Sequence, residues 1–203
     1  MSTRGRGRPP VTTHEAVEET ALALFEERGV ENTTVVDIAE ACEMSKTSFF
    51  RYFASKNEIL WRPFDEHVER IREGLADQPE DRPVTAAIDD ALRAALTSEV
   101  DIAGVWLRRL RFQSAPDQQA VAAEHWARWT QLMARFIRVR SEPAEDDLLP
   151  ETVAGAVTGT FTAFVRILVV RHQISPDEVL ARYDEKVSPI IRELQPFVER
   201  IER

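Results

Sequence analysis

The chain has 203 residues, enough to bury a real core as one domain or two modest ones, and a formal net charge of −9. That charge excludes a generally basic nucleic-acid binder, so any contact with DNA must come from local clusters. A single cysteine excludes an intramolecular disulfide framework and fits a reducing cytoplasm, and the N-terminus has no apolar run of the kind a signal peptide carries.

Residues 1–10, MSTRGRGRPP, are rich in Gly, Arg and Pro and cannot fold alone. They read as a flexible basic tail, or as an arm that takes Arg4, Arg6 and Arg8 into a DNA minor groove. A first helix is predicted over Thr13 to Arg28, with Val17, Ala21, Leu24 and Phe25 as its buried stripe and Gly29 as its left-handed end. Thr34 and Asp37 then have the spacing of a capping box, and Val35, Ile38, Ala39 and Cys42 form one apolar face. Glu43 and Met44 make a turn. Ser45 can cap another short helix, in which Phe49 and Phe53 share a face while Lys46, Thr47, Phe50 and Arg51 point elsewhere. A second capping box, Ser55 with Glu58, opens the next helix. Two short capped helices around a tight turn are the pattern of a helix-turn-helix that reads DNA. Residues 1–56 hold seven basic and nine acidic side chains, but Lys46, Arg51 and Lys56 fall in an acid-free run, which is compatible with one basic face.

From Lys56 a longer helix is expected to about Leu75, with Leu60, Phe64, Val68, Ile71 and Leu75 on one face and a kink at Pro63, whose ring nitrogen cannot bond the Ile59 carbonyl. The polar, doubly prolyl stretch 77–83 is a connection. Four helices follow: Val84–Ser98, with Ala87, Ile88, Ala91, Leu92 and Ala95 inward, then Ile102–Gln113, one from Pro116 to Arg140, and an apolar one near 151–172. The last of these carries a single charge, Arg166, between Thr152 and Val170, and is expected to be buried nearly all round rather than to span a membrane. Ser175, Pro176 and Glu178 start a final helix, with Leu180, Tyr183, Val187, Ile190, Ile191, Leu194 and Val198 at helical spacing; Pro189 and Pro196 should kink or end it. No strand pattern is present. The expected fold is all-α: a basic arm over 1–10, a three-helix head over 11–56, and an antiparallel helical body over 57–203 entered through a linker helix.

The stretch TTVVDIAEACEMSKTSFFRYFASK resembles the DNA-binding head of the TetR family of bacterial repressors, over about residues 10–62. Within that family, FFRYFASKNEILW is similar to an actinobacterial subgroup that includes the regulator of mycofactocin gene clusters. The resemblance implies that Thr34 contacts a phosphate through its hydroxyl or amide. It implies that Ser45, Lys46, Thr47 and Ser48 form the start of the recognition helix, where Lys46 can reach guanine O6 or N7 and Thr47 a thymine methyl. Phe50, Arg51 and Tyr52 would line the groove wall, with Tyr52 and Lys56 on phosphates. Two departures stand out: Glu43 occupies a position where many members have a turn glycine, and Phe50 one where many have tyrosine, so a phosphate hydrogen bond is lost there.

The resemblance further implies a homodimer on a palindromic operator and an apolar cavity for a small effector, possible chemistries including an acyl-CoA. Gly155 and Gly159, extended by Ala163, make a small-residue stripe for close helix packing, within one chain or, with Ile190 and Leu194, across the dimer. The aromatic side chains Phe64, Trp106, Phe112, Trp126, Trp129 and Phe161, with Arg109, are candidates for the cavity, although aromatics at this spacing also build cores. No catalytic, metal or cofactor motif is found: the four histidines share no ligand spacing, and neither a phosphate-binding glycine loop nor a nucleophile elbow is present. The resulting expectation is a cytoplasmic, ligand-responsive DNA-binding regulator that is not an enzyme. The alternative is an all-α ligand-binding or scaffold protein without specific DNA recognition.

Overall fold

The computed structural model describes residues 13–100, 103–167 and 175–201; Arg4, Arg6, Arg8 and the side chain of Trp106 lie outside the described part. Among the described residues every regular element is helical: α1 (His14–Arg28), α2 (Val35–Ala41), α3 (Lys46–Phe49), α4 (Lys56–Ala76), α5 (Val84–Val100), α6 (Ala103–Gln113), a 3-10 turn (Pro116–Gln118), α7 (Gln119–Ser141), α8 (Leu149–Phe164), α9 (Pro176–Lys186), α10 (Ser188–Arg192) and α11 (Gln195–Val198). The chain divides into two compact units, Met1–Ile59 and Leu60–Arg203.

In the first unit the local chemistry of the helix ends sets the layout. Thr13 caps α1 by accepting the Ala16 amide at 3.2 Å, and Gly29 ends it at φ +83°, a value that a residue with a Cβ rarely adopts. Val17, Ala21, Leu22 and Phe25 of α1 pack with Ile38, Ala39, Phe49 and Phe53 to form a small core. Only Ile38 and Ala39 of the expected α2 face are buried; Val35 and Cys42 are half-buried at the ends of a helix of 7 residues.

The second unit is built around α5, whose Ala87, Ile88, Ala91, Leu92 and Ala95 are all buried. A Cβ at Gly74 would stand 3.4 Å from the Ala91 Cβ, so the glycine allows α4 and α5 to approach closely. On its other side α5 meets α9 and α10 through a polar network. The fully buried Asp89 accepts hydrogen bonds from the Tyr183 hydroxyl (2.8 Å), the Ser188 hydroxyl (2.7 Å) and Arg192 Nε (2.6 Å). A buried carboxylate is tolerated only with such a set of donors. Burial, together with Asp89, drives the Tyr183 phenol far above its ordinary value, so it stays a donor.

The prolines expected to kink or end the last helix end it: it becomes three, α9, α10 and α11, with Pro189 and Pro196 in the first turn of the second and third. Proline has no amide to continue a preceding helix, but suits the first turn of a new one. α8 is not buried all round. Val153, Ala154, Val157, Phe161 and Phe164 point inward, whereas Gly155, Ala156 and Gly159 are exposed, and a Cβ at either glycine would meet nothing within 4 Å. Close packing of these glycines within the chain is therefore excluded among the described residues. α4 runs as one helix through Pro63.

Candidate nucleic-acid interface and effector cavity

The α2–turn–α3 segment is fixed by side chains that close on backbone. The Asp37 amide donates to Thr34 Oγ1 (3.2 Å), while the Thr34 amide and hydroxyl both donate to Asp37 Oδ2, at 2.7 and 2.6 Å. These bonds hold the Asp37 carboxyl below the usual range, with a smaller contribution from the Arg28 charge. The turn has the hydrogen bonds of a Schellman motif, Met44 N–H to Ala39 C=O (2.9 Å) and Glu43 N–H to Glu40 C=O (3.0 Å), with Glu43 at φ +51°. Glu43 thus occupies the left-handed position that glycine favours, and the helix-turn-helix is completed with a strained residue rather than distorted. Ser45 then caps α3, accepting the Ser48 amide at 3.0 Å, with the two hydroxyls also 3.0 Å apart.

α3 ends at Phe49, short of the expected helix that would carry Phe53 on the same face. Phe49 and, in the turn beyond, Phe53 are buried and anchor the segment, while Lys46, Thr47, Phe50 and Arg51 are exposed. Tyr52 is half-buried, its ring 5.0 Å from that of His14, which also meets Phe53 at 5.0 Å. His14 is a contact that the sequence pattern did not signal.

Two expected phosphate ligands have other partners. Both donors of Thr34 are taken by Asp37. Lys56 turns its ammonium onto backbone carbonyls of the α1–α2 connection: Val30 at 2.5 Å, Thr33 at 2.8 Å and Glu31 at 3.4 Å. An ammonium has three donors, and all three are committed here. Lys56 thus clasps the connection between α1 and α2 within the head. The second capping box is also modified: the Glu58 amide donates to Ser55 Oγ (3.2 Å), but the Glu58 carboxylate accepts the Ala54 amide (2.5 Å).

In the second unit a cavity of about 400 Å³ opens between α6, α7 and α8. Leu110, Ala122, Ala123, Trp126 and Val165 give it apolar walls, and Gln113, Ser114, Gln119, Thr162 and Arg166 supply the polar groups. Of the expected pocket aromatics whose side chains are described, only Trp126 is in its wall. Phe64, Trp129 and Phe161 pack together in the core, with Phe64–Trp126 ring centres 4.8 Å apart and Trp129–Phe161 also 4.8 Å. Arg109 is buried and Phe112 half-buried, and neither is a wall residue. The wall residues are apolar and polar side chains scattered over three helices, a pattern with no sequence signature.

Gln113 both lines the cavity and, buried, donates to the Leu60 carbonyl of α4 at 2.7 Å. Beside it Trp61 stacks on His125 (4.3 Å, 8°), and His125 bonds Asp65 at 2.7 Å. Deeper, His67 is fully buried and stacked on Trp129 at 5.8 Å; desolvation, aided by the Arg70 charge, lowers its pKa to about 3, so the ring is neutral. Elsewhere on the body, Ile190 and the α8 glycines are exposed, while Ala163 and Leu194 are half-buried. No cluster of three metal-ligating side chains occurs among the described residues, and none of their helices is long and apolar enough to cross a membrane.

Comparison with known proteins adds sequence and fold likenesses. Residues 19–61 match the family described as bacterial regulatory proteins, tetR family, and residues 82–189 match the MftR C-terminal domain. The chain is 34% identical over 158 residues to a protein of Mycobacterium tuberculosis named as the mycofactocin biosynthesis transcriptional regulator MftR, covering 75% of this chain and 78% of that one. In fold it is similar to a transcriptional regulator of Aquifex aeolicus (TM-score 0.58, 15% identity, 87% of this chain and 98% of that one). It is also similar to the TetR-family repressor FadR of Thermus thermophilus, solved with lauroyl-CoA (TM-score 0.51, 17% identity, 94% and 96%).

Proposed function

Because the chain belongs to the TetR family of bacterial transcriptional regulators, with an MftR-type C-terminal domain, we propose that it is a homodimeric repressor released from a palindromic operator by a small apolar effector. The observation that carries this reading is the capped α2–turn–α3 unit, which offers Lys46, Thr47 and Arg51 outward from a buried phenylalanine anchor. In the major groove Lys46 donates to guanine, Thr47 and Ser48 approach base edges, and Arg51 and Tyr52 track the backbone. The arginines of the arm reach the adjacent minor groove. Two heads in a dimer read half-sites one helical turn apart.

The effector reading rests on the cavity, whose size and mostly apolar lining suit an acyl chain with a polar head near Gln119 or Arg166. FadR, a regulator of similar fold, holds lauroyl-CoA. Gln113 gives an occupant a direct path to α4, since displacing its side chain from the Leu60 carbonyl alters the helix that leads to the head. A change in head separation then lowers operator affinity, and DNA lowers effector affinity by the same factor. The protein acts in the cytoplasm, where operator and acyl thioesters are both present.

A mobility-shift titration with the DNA upstream of the protein's own coding region, with and without lauroyl-CoA, tests both parts. Retarded DNA that outlasts excess random competitor, and is released by the thioester, is the expected result. Binding no tighter than to random DNA across the candidate palindromes would refute the repressor; release by no acyl thioester would refute this effector class alone.

A further inference from the structure

The two phenylalanines of the recognition segment have opposite surroundings. Phe49 is fully buried, whereas Phe50, at the end of α3, is 47% exposed. The buried ring holds the exposed one, their centroids 5.6 Å apart at 84°. One helical turn earlier, the Lys46 ammonium lies over the Phe50 ring, 5.9 Å from its centroid. Phe50 thus presents an apolar surface beside a held cation, and Thr47 and Arg51 next to them in the chain are also exposed.

We infer that Phe50 is a specificity-determining residue of the operator contact: its ring takes the 5-methyl group of a thymine and positions Lys46 for the neighbouring base. The inference rests on the reading of the head as a DNA-binding module. In the major groove the thymine methyl is the apolar group a phenyl ring can cover, while the ammonium finds its acceptors on guanine O6 and N7. A phenyl ring has no polar atom, so covering it leaves no hydrogen bond unmade, as covering a tyrosine hydroxyl would. The lysine gains from the same ring, because its long side chain is already held along the helix before DNA arrives.

The full-length protein is used to select its preferred sequence from a pool of random duplexes. Each thymine of the selected half-site is then replaced singly by deoxyuridine, which deletes only the methyl group. At one thymine per half-site the replacement lowers wild-type affinity by about four-fold, the scale of one buried methyl group. It has no effect at that position in Phe50→Ala and retains its effect in Phe50→Tyr, which keeps the ring. Lys46→Ala and Phe50→Ala together lose less than the product of their separate losses, because each removes part of the same contact. Equal responses of wild type and Phe50→Ala at every thymine would overturn the inference. Failure to enrich any sequence would instead remove the DNA-binding reading beneath it, and would be seen before any thymine is changed.

Discussion

Glu43 is the residue at which local preference and the fold disagree. A left-handed conformation costs a non-glycine residue about 1–2 kcal/mol, part of which glycine returns through its larger unfolded-state entropy. Glu43→Gly should therefore stabilise the head by about 0.5–1 kcal/mol, read as a raised denaturation midpoint; an unchanged or lowered midpoint would mean that Glu43 has a compensating partner. The conflict was legible in the sequence, since Glu43 stands where a turn glycine is common. The role of Lys56 was not, because nothing in its spacing tells a phosphate from three carbonyls 23 to 26 positions upstream. Lys56→Ala should destabilise the head by about 2 kcal/mol, the scale of losing charge-assisted hydrogen bonds, and leave the salt dependence of DNA binding unchanged. A salt slope flatter by about one would restore the phosphate role.

Among the elements, the capped starts of α1, α2, α3 and α9 could be placed from sequence because each depends on residues no more than three positions apart. The cavity could not, since its walls meet only when α6, α7 and α8 are packed. The same holds for the aromatic side chains: their spacing fits a core face and a pocket face equally, and packing sends Phe64, Trp129 and Phe161 to the core. Gln113 joins two such elements. Gln113→Leu keeps the volume but removes the bond to α4, so the effector should still bind while releasing operator DNA at least several-fold less effectively. Calorimetric binding of lauroyl-CoA together with an unaltered release curve would rule out this coupling.

At the scale of the whole molecule, the helical class and the order of the elements were legible, whereas the outward face of α8 was not, because an apolar run hides which side faces solvent. The exposed glycine stripe belongs to the proposed dimer contact, where small residues let two helices approach. Gly155→Leu with Gly159→Leu should yield monomers in sedimentation, and dimers that persist would move the contact elsewhere. Stability should also depend on pH through His67. Its folded pKa of about 3 lies below the value of 6.5 it has when unfolded, so between these limits the unfolded chain binds the extra proton and stability falls as pH falls. Between pH 7 and pH 5 wild type should lose about 2 kcal/mol more than His67→Phe, a comparison in which the carboxylates common to both cancel, measured by denaturant unfolding. Finally, the Lys56 clasp limits how heads can be exchanged between related regulators. A chimera joined before Lys56 must draw the donor for the Val30 and Thr33 carbonyls from the other regulator, whereas one joined after Ile59 transfers the clasp and the Ser55–Glu58 cap intact, so the interchangeable module ends inside a helix rather than at a loop.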